Sequence, residues 1–300
     1  MKNKPSVPGE TRRMRAMVLR EVVRLDENTS PLSLTELPIP NPGQGEVLIR
    51  VHACGVCHTE LDEIEGRTPP GKLPLIPGHQ VVGKVVQTGA GIHRFHVGDR
   101  VGVAWIFNAC GRCEFCRSGR ENLCDDFQAT GRDADGGYAE YMIAKENFTY
   151  SIPEVYSNSE AAPLLCAGAI GYRSLRLAGI DTITSLGLMG FGASAHLVIK
   201  LVRQQYPKVK VYVFARSEAE RAFALKLGAA WSGDIGHSPP VKPQSIIDTT
   251  PAWKPVVASM EHLRKGGRLV INAIRKESAD RHNLENLSHA RGGFHKKGFP

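Results

Sequence analysis

Four cysteines fall within fifteen residues of one another, as Cys110-x2-Cys113-x2-Cys116-x7-Cys124. A two-residue spacing lets a tight loop turn successive sulfurs toward one point, and four thiolates at about 2.3 Å satisfy tetrahedral zinc. Gly111 and Gly119 supply the bends that such a loop needs. Four protein sulfurs close the coordination shell, so the centre is expected to be structural rather than catalytic. The alternative is a set of free or disulfide-linked cysteines. The spacing disfavours it, and so does the segment Met1–Arg15, which is basic without an apolar core and does not read as a secretory signal. A cytoplasmic protein with reduced thiols is expected.

At about 150 residues per domain, 300 residues predict two domains. With 42 % hydrophobic and 23 % charged residues the chain is globular, which excludes disordered, collagen-like and coiled-coil classes. No apolar run approaches the length of about 18 that a membrane-spanning helix needs, so no membrane partner is expected. The net charge of +8 raises the question of nucleic acid. Residues 1–15 net +4 and residues 281–300 net +3, so the surplus belongs to the two ends and not to a binding face. No nucleic-acid partner is expected.

The first half reads as β-rich. Val47, Ile49 and Val51 alternate with a mixed set, the period of a half-buried strand. Val81–Val86, Arg100–Val103 and Tyr138–Ala144 are similar runs, separated by Gly and Pro clusters. Beyond about residue 155 the rhythm becomes strand–helix. Ser159-Glu160 opens a helical stretch toward Leu177. A strand Ile183–Leu188, a helix Ala193–Gln205, a strand Val209–Phe214 and a helix capped by Ser217 follow. Strands at Ile246-Ile247 and Leu269–Ile271 flank a helix over 254–264. Such alternation predicts right-handed βαβ units on a parallel sheet.

Three further residues, Cys57, His79 and Cys166, are scattered, and spacing alone does not join them. Cys166 within Leu164–Ala167 is also readable as a small buried hydrophobe, and His79 after Pro77-Gly78 as a turn residue. Their context changes this. Gly55-Val56-Cys57-His58-Thr59-Glu60-Leu61, Pro77-Gly78-His79-Gln80, the four-cysteine loop and Leu165-Cys166-Ala167-Gly168 occur in that order. The chain resembles, from about residue 15 to 275, the zinc-dependent alcohol dehydrogenases of the medium-chain dehydrogenase/reductase superfamily.

The resemblance implies an α/β fold. A GroES-like β-rich catalytic domain would span 1–158, with its structural zinc loop at about 108–126. A Rossmann doubly wound parallel sheet would span 159–280, with the active site between the two. By the same likeness Cys57, His79 and Cys166 hold a catalytic zinc, Thr59 is the proton-relay hydroxyl and His58 meets the cofactor pyrophosphate. That gives two zinc ions per chain. Thr59 also reads as the cap of a helix starting at Thr59-Glu60. Two positions depart from the family pattern. Gln80 stands where a Glu often follows the zinc-binding His. Asp62 stands where a His often follows the relay hydroxyl, and there it could accept the proton.

Ser185-Leu186-Gly187-Leu188-Met189-Gly190-Phe191-Gly192 lies between a strand and a helix, where a dinucleotide turn belongs. Gly187, Gly190 and Gly192 are its candidate residues, although Met189 interrupts the usual glycine pattern. The free N–H groups at the helix start suit a pyrophosphate. No carboxylate stands at 214–217, where one would bind the ribose of NAD(H). Arg216 and Ser217 could grip a 2′-phosphate instead, so NADP(H) is favoured over NAD(H).

The leading expectation is an enzyme that transfers hydride between a small alcohol or aldehyde and a nicotinamide cofactor. Trp105, Ile106 and Phe107 favour apolar alcohols. A polyol or amino-alcohol dehydrogenase is the nearest rival, and an impaired zinc- and dinucleotide-binding protein is a second class. The second class arises because apolar periodicity stops after Leu269–Asn272 and a basic, Gly-rich tail over 281–300 follows. The resemblance implies a longer chain, so the last sheet strand is expected to be missing, the tail disordered and the family's usual homo-oligomer in doubt.

Overall fold

The computed structural model describes residues 12–273 and 276–277. The tail expected to be disordered lies outside them. The chain divides into two compact units, one ending at Cys166 and the other beginning at Ala167.

In the first unit β1 (Arg13–Leu19) and β2 (Leu32–Pro38) form an antiparallel pair. The main sheet comprises β3 (Glu46–Cys54), β4 (Val81–Thr88), β5 (Arg100–Val103), β8 (Tyr141–Lys145) and β9 (Thr149–Ser151), in the order β8-β3-β4-β5-β9. A small pair, β6 (Ile106–Asn108) and β7 (Gln128–Ala129), stands beside it. Every pairing in the main sheet is antiparallel. Val47 and Ile49 pack with Val81, Val85, Val101, Val103 and Met142 on one face, as the alternation predicts. Val82 points the other way and joins Ala161 and Ala162. Residues 159–166, which the strand–helix rhythm places in the second domain, therefore pack with the first unit.

The helix expected from Ser159 to Leu177 is broken. Ser157 caps a single turn, α3 (Asn158–Ala161), its Oγ accepting the Glu160 N–H at 3.2 Å. A 3-10 turn follows over Ala162–Leu165. Pro163 carries no N–H for an α-helical ladder, which favours the break. Cys166 then leaves helical geometry at φ −125° and ψ −78° before α4 (Ala167–Ala178) begins.

The second unit alternates β10 (Ser185–Met189), α5 (Ala193–Gln205), β11 (Lys210–Phe214), α6 (Glu218–Lys226), β12 (Trp231–Gly233), β13 (Ser245–Asp248), α7 (Lys254–His262) and β14 (Arg268–Ile271). Its sheet is wholly parallel in the order β12-β11-β10-β13-β14. Both faces are covered, so its central strands are apolar on both sides. Leu186, Leu188, Val211 and Val213 pack on Val198, Ile199 and Val202 of α5, while Met189, Phe214 and Ile246 face Ala258 of α7. Strand order reverses between β10 and β13. In an open parallel sheet that reversal opens a crevice beyond the carboxyl ends of the strands.

Candidate active site

The structure brings Cys57, His79 and Cys166 together. Cys57 is the N-cap of α1 (His58–Ile64) at φ −138° and ψ 165°. His79 lies in the segment entering β4, and Cys166 sits at the helix break. Their ligand atoms all lie within 4.8 Å of one another, and the two sulfurs are 3.9 Å apart. That separation is far beyond a disulfide's roughly 2.05 Å.

Sequence reasoning missed Glu60, the residue that orients this group. Glu60 is 2 % exposed, and its Oε1 lies 2.5 Å from His79 Nδ1. Its Oε2 accepts the Cys57 N–H at 2.8 Å. Nδ1 faces the carboxylate as a close ion-pair contact, and neither nitrogen of the buried ring has a hydrogen-bond partner, so His79 can offer Nε2 for ligation. A signal was available in the sequence. An acid three residues after an N-cap reaches back to it, as in a capping box.

The electrostatics favour a cation here. Hydrogen bonding from Cys166 outweighs burial and holds the Cys57 thiol down to about 3, while Cys166 itself is pushed up by the same contact and by burial. Burial opposes charge on His79, but Cys57 and Glu60 overcome it and raise the ring to about 9. A half-buried sulfur whose thiol is held down, a second half-buried sulfur and a buried imidazole make a donor set that fits zinc.

The remaining predicted residues divide. Thr59 is 4 % exposed, and its Oγ1 lies 3.5 Å from Cys57 Sγ. It is not the cap expected from the sequence. Cys57 takes that place, which puts the Thr59 hydroxyl in the first turn beside the sulfur. Asp62 is not drawn into the group, because its Oδ1 accepts from Arg67 Nε at 2.5 Å. Glu63, which sequence reasoning did not single out, is 1 % exposed with both oxygens unpartnered. Burial, then repulsion from Glu60, pushes its carboxyl up to about 8.

Cys110, Cys113, Cys116 and Cys124 form the second group, again with all ligand atoms within 4.8 Å. The bends fall where expected, at Gly111 (φ +70°) and Gly119 (φ +68°). Backbone N–H groups point at the sulfurs. Cys113 N donates to Cys110 Sγ at 3.3 Å, Cys116 N to Cys113 Sγ at 3.4 Å, and Cys110 N to Cys124 Sγ at 3.4 Å. Donation from Arg112 and Cys113 holds the Cys110 thiol down to about 6. The short helix α2 (Glu114–Arg117) starts at Cys113 and carries Cys116. These residues also fit zinc, as a closed shell.

In the second unit the turn from β10 to α5 carries Gly190 and Gly192, whereas Gly187 lies inside β10. There a side chain would sit 2.8 Å from Ile246, so Gly187 serves strand packing and not the turn. Gly190 has φ +84°, and a Cβ on it would stand 2.8 Å from Thr250 Cγ2. Gly192 is the N-cap of α5 with no side-chain cap, so the first N–H groups of the helix face outward unclaimed by it. Arg216 and Ser217 are exposed just past β11, and Ser217 Oγ accepts the Glu220 N–H at 3.1 Å. His58 is exposed on the first turn of α1.

The alcohol dehydrogenase GroES-like domain profile matches residues 43–154. A probable alcohol dehydrogenase, AdhA, of Mycobacterium tuberculosis (strain CDC 1551 / Oshkosh) is 42 % identical over 272 residues, which cover 89 % of this chain and 78 % of that protein. Among solved structures, a thermostable alcohol dehydrogenase from Pyrobaculum aerophilum superposes with a TM-score of 0.80 at 24 % identity, covering 93 % of this chain and 82 % of the other. A dehydrogenase from Sinorhizobium meliloti 1021, solved with NADP bound, superposes at 0.76 with 26 % identity, covering 92 % and 82 %. Shared sequence over most of both chains, the antiparallel sheet and the parallel sheet together make this chain a member of the alcohol dehydrogenase family, of the medium-chain dehydrogenase/reductase type.

Proposed function

We propose that the protein is a zinc-dependent oxidoreductase that interconverts small alcohols and aldehydes or ketones, with NADP(H) as the preferred cofactor. The convergence of Cys57, His79 and Cys166 within 4.8 Å, with Glu60 on the far nitrogen of His79, carries this reading. When bound, the metal supplies a Lewis acid that acidifies a substrate hydroxyl, and the dinucleotide supplies a nicotinamide that accepts hydride.

The chain's own groups do the rest. Cys57, His79 and Cys166 would hold the metal, and a set of only three protein donors is compatible with a catalytic rather than a purely structural role. Glu60, on the Nδ1 side of the ring, would keep His79 oriented so that Nε2 is the donor once a metal displaces its proton. The Thr59 Oγ1 lies 3.5 Å from Cys57 Sγ, so it is suited to take the proton released at that side of the site. Asp62 is engaged by Arg67 and does not continue the relay in this arrangement. Cys110, Cys113, Cys116 and Cys124 would hold the second, structural zinc.

The cofactor preference rests on Arg216 and Ser217 standing past β11 with no carboxylate at 214–217. The 2′-phosphate of NADP(H) would meet a cation there, and a charge-assisted pair is worth about 1.5–3 kcal/mol. Elemental analysis of the purified protein is expected to return two zinc ions per chain. Aldehyde panels are expected to show faster turnover with NADPH than with NADH, and Arg216→Asp should narrow or reverse that ratio. Equal KM for both cofactors in the unaltered protein would refute the preference. The absence of turnover with either would refute the reaction.

A further inference from the structure

A buried ion pair lies at the carboxyl end of the parallel sheet and involves none of the cysteines. Asp248 ends β13 and is fully buried. Its Oδ1 accepts the Thr250 N–H at 3.2 Å and the Thr250 hydroxyl at 2.7 Å. Its Oδ2 accepts from Lys276 Nζ, on a side chain only 8 % exposed. The same Nζ donates to Thr250 O at 2.5 Å and to Ala252 O at 3.3 Å. An ammonium group has three N–H donors, and all three are used on residues 248–252. The next residue extends the grip. Glu277 N donates to Pro251 O at 2.7 Å, and Trp253 Nε1 donates to Glu277 O at 3.0 Å. Residues 276–277 thus clasp the whole turn from β13 into α7.

That turn abuts the glycine turn. Thr249 donates to Met189 O, at the end of β10, through its N–H at 2.9 Å and its hydroxyl at 3.1 Å. Thr249 Oγ1 and Thr250 Cγ2 stand 2.9 Å and 2.8 Å from the place a Gly190 Cβ would take. The clasped turn is therefore one wall of the crevice where the strand order reverses.

The geometry points to Lys276 as a positioning residue for dinucleotide binding, holding the 249–252 wall against the Gly190 turn without touching the cofactor. This rests on the dinucleotide reading above. Lys276 has no donor left for a phosphate, so its effect acts through the wall. A buried pair of this kind is a poor source of net stability, but it fixes one loop geometry among several.

Tryptophan-fluorescence titration with NADPH and NADH, together with steady-state kinetics, tests the assignment on the full chain. Lys276→Met is expected to raise the dinucleotide Kd and KM about tenfold while kcat at saturating cofactor stays within about twofold. Lys276→Met strands the Asp248 charge, so Lys276→Met/Asp248→Asn is measured beside it and is expected to show the same rise in KM. A purely structural role would lower the folded fraction, and kcat with it, and leave KM unchanged. An unchanged KM in the folded double variant would overturn the inference while leaving the function standing. An unaltered protein that binds neither dinucleotide would overturn both.

Discussion

The two cysteine groups invite comparison because each gathers soft donors within the same 4.8 Å, yet they are built in opposite ways. The four-cysteine loop is local. Its ligands come from fifteen consecutive residues, its bends are two glycines, and its sulfurs are held by the N–H groups of neighbouring residues. The Cys57–His79–Cys166 group is assembled across more than a hundred residues and relies on a second layer, Glu60, to orient its histidine. A local site can be written into a short stretch of chain, whereas a dispersed one exists only once the sheet and α1 have formed. On the function proposed above, the difference would also set their chemistry. Four protein sulfurs exclude a substrate, and three donors leave room for one.

Removing a ligand from each group should break the comparison most sharply. Cys57→Ser should lower kcat/KM by roughly a thousandfold or more and release one metal equivalent, with unfolding little changed. Retained turnover would show that the dispersed group is not catalytic. Cys113→Ser should do the reverse. It should also release one equivalent, but with unfolding weakened by about 2–4 kcal/mol and turnover per folded molecule within several-fold of the parent. Calorimetry beside single-batch kinetics separates the two outcomes, and identical profiles for both variants would erase the distinction.

A subtler probe removes orientation and leaves the ligands in place. Glu60→Ala should weaken the dispersed site for metal by about 10–100-fold in competition with a chelator and leave the four-cysteine loop untouched. Equal weakening of both would mean that Glu60 acts on the fold at large.

The last probe is a pH dependence and concerns Glu63, buried near the dispersed group. Its carboxyl, held at about 8 in the folded chain by burial and by Glu60, binds its proton more tightly there than when unfolded. Stability should therefore fall as pH rises from the ordinary carboxylate range toward 8, by up to about 1.4 kcal/mol per pH unit. Glu63→Gln should flatten that slope, as read from urea midpoints between pH 5 and about 8. An unchanged slope would place the titration elsewhere.

Local devices were legible in the sequence and distant ones were not. The Ser217 cap, the α5 boundaries, the β–α rhythm and the four-cysteine loop all depend on residues a few positions apart, and the chain carries them openly. That Cys57, His79 and Cys166 meet came from family likeness, because nothing in their spacing encodes a contact across the sheet. The helix expected through Cys166 failed for a related reason. An apolar periodic stretch does not disclose that Pro163 and the packing of Ala161 and Ala162 on Val82 will end it early. Gly187 looked like part of the turn because glycine serves both turns and tight strand packing. Lys276 carried no signal at all, since a lysine's usual place is in water.

Glu60 has one further consequence. Its two oxygens join the amide that begins α1 to the imidazole of a separate segment, so a seven-residue helix and a distant histidine share one anchor. Helices this short do not persist in water on their own. Loosening Glu60 would therefore free both partners at once, and the exchange rate of the Cys57 amide proton becomes a gauge of that shared anchor that needs no substrate, no cofactor and no turnover.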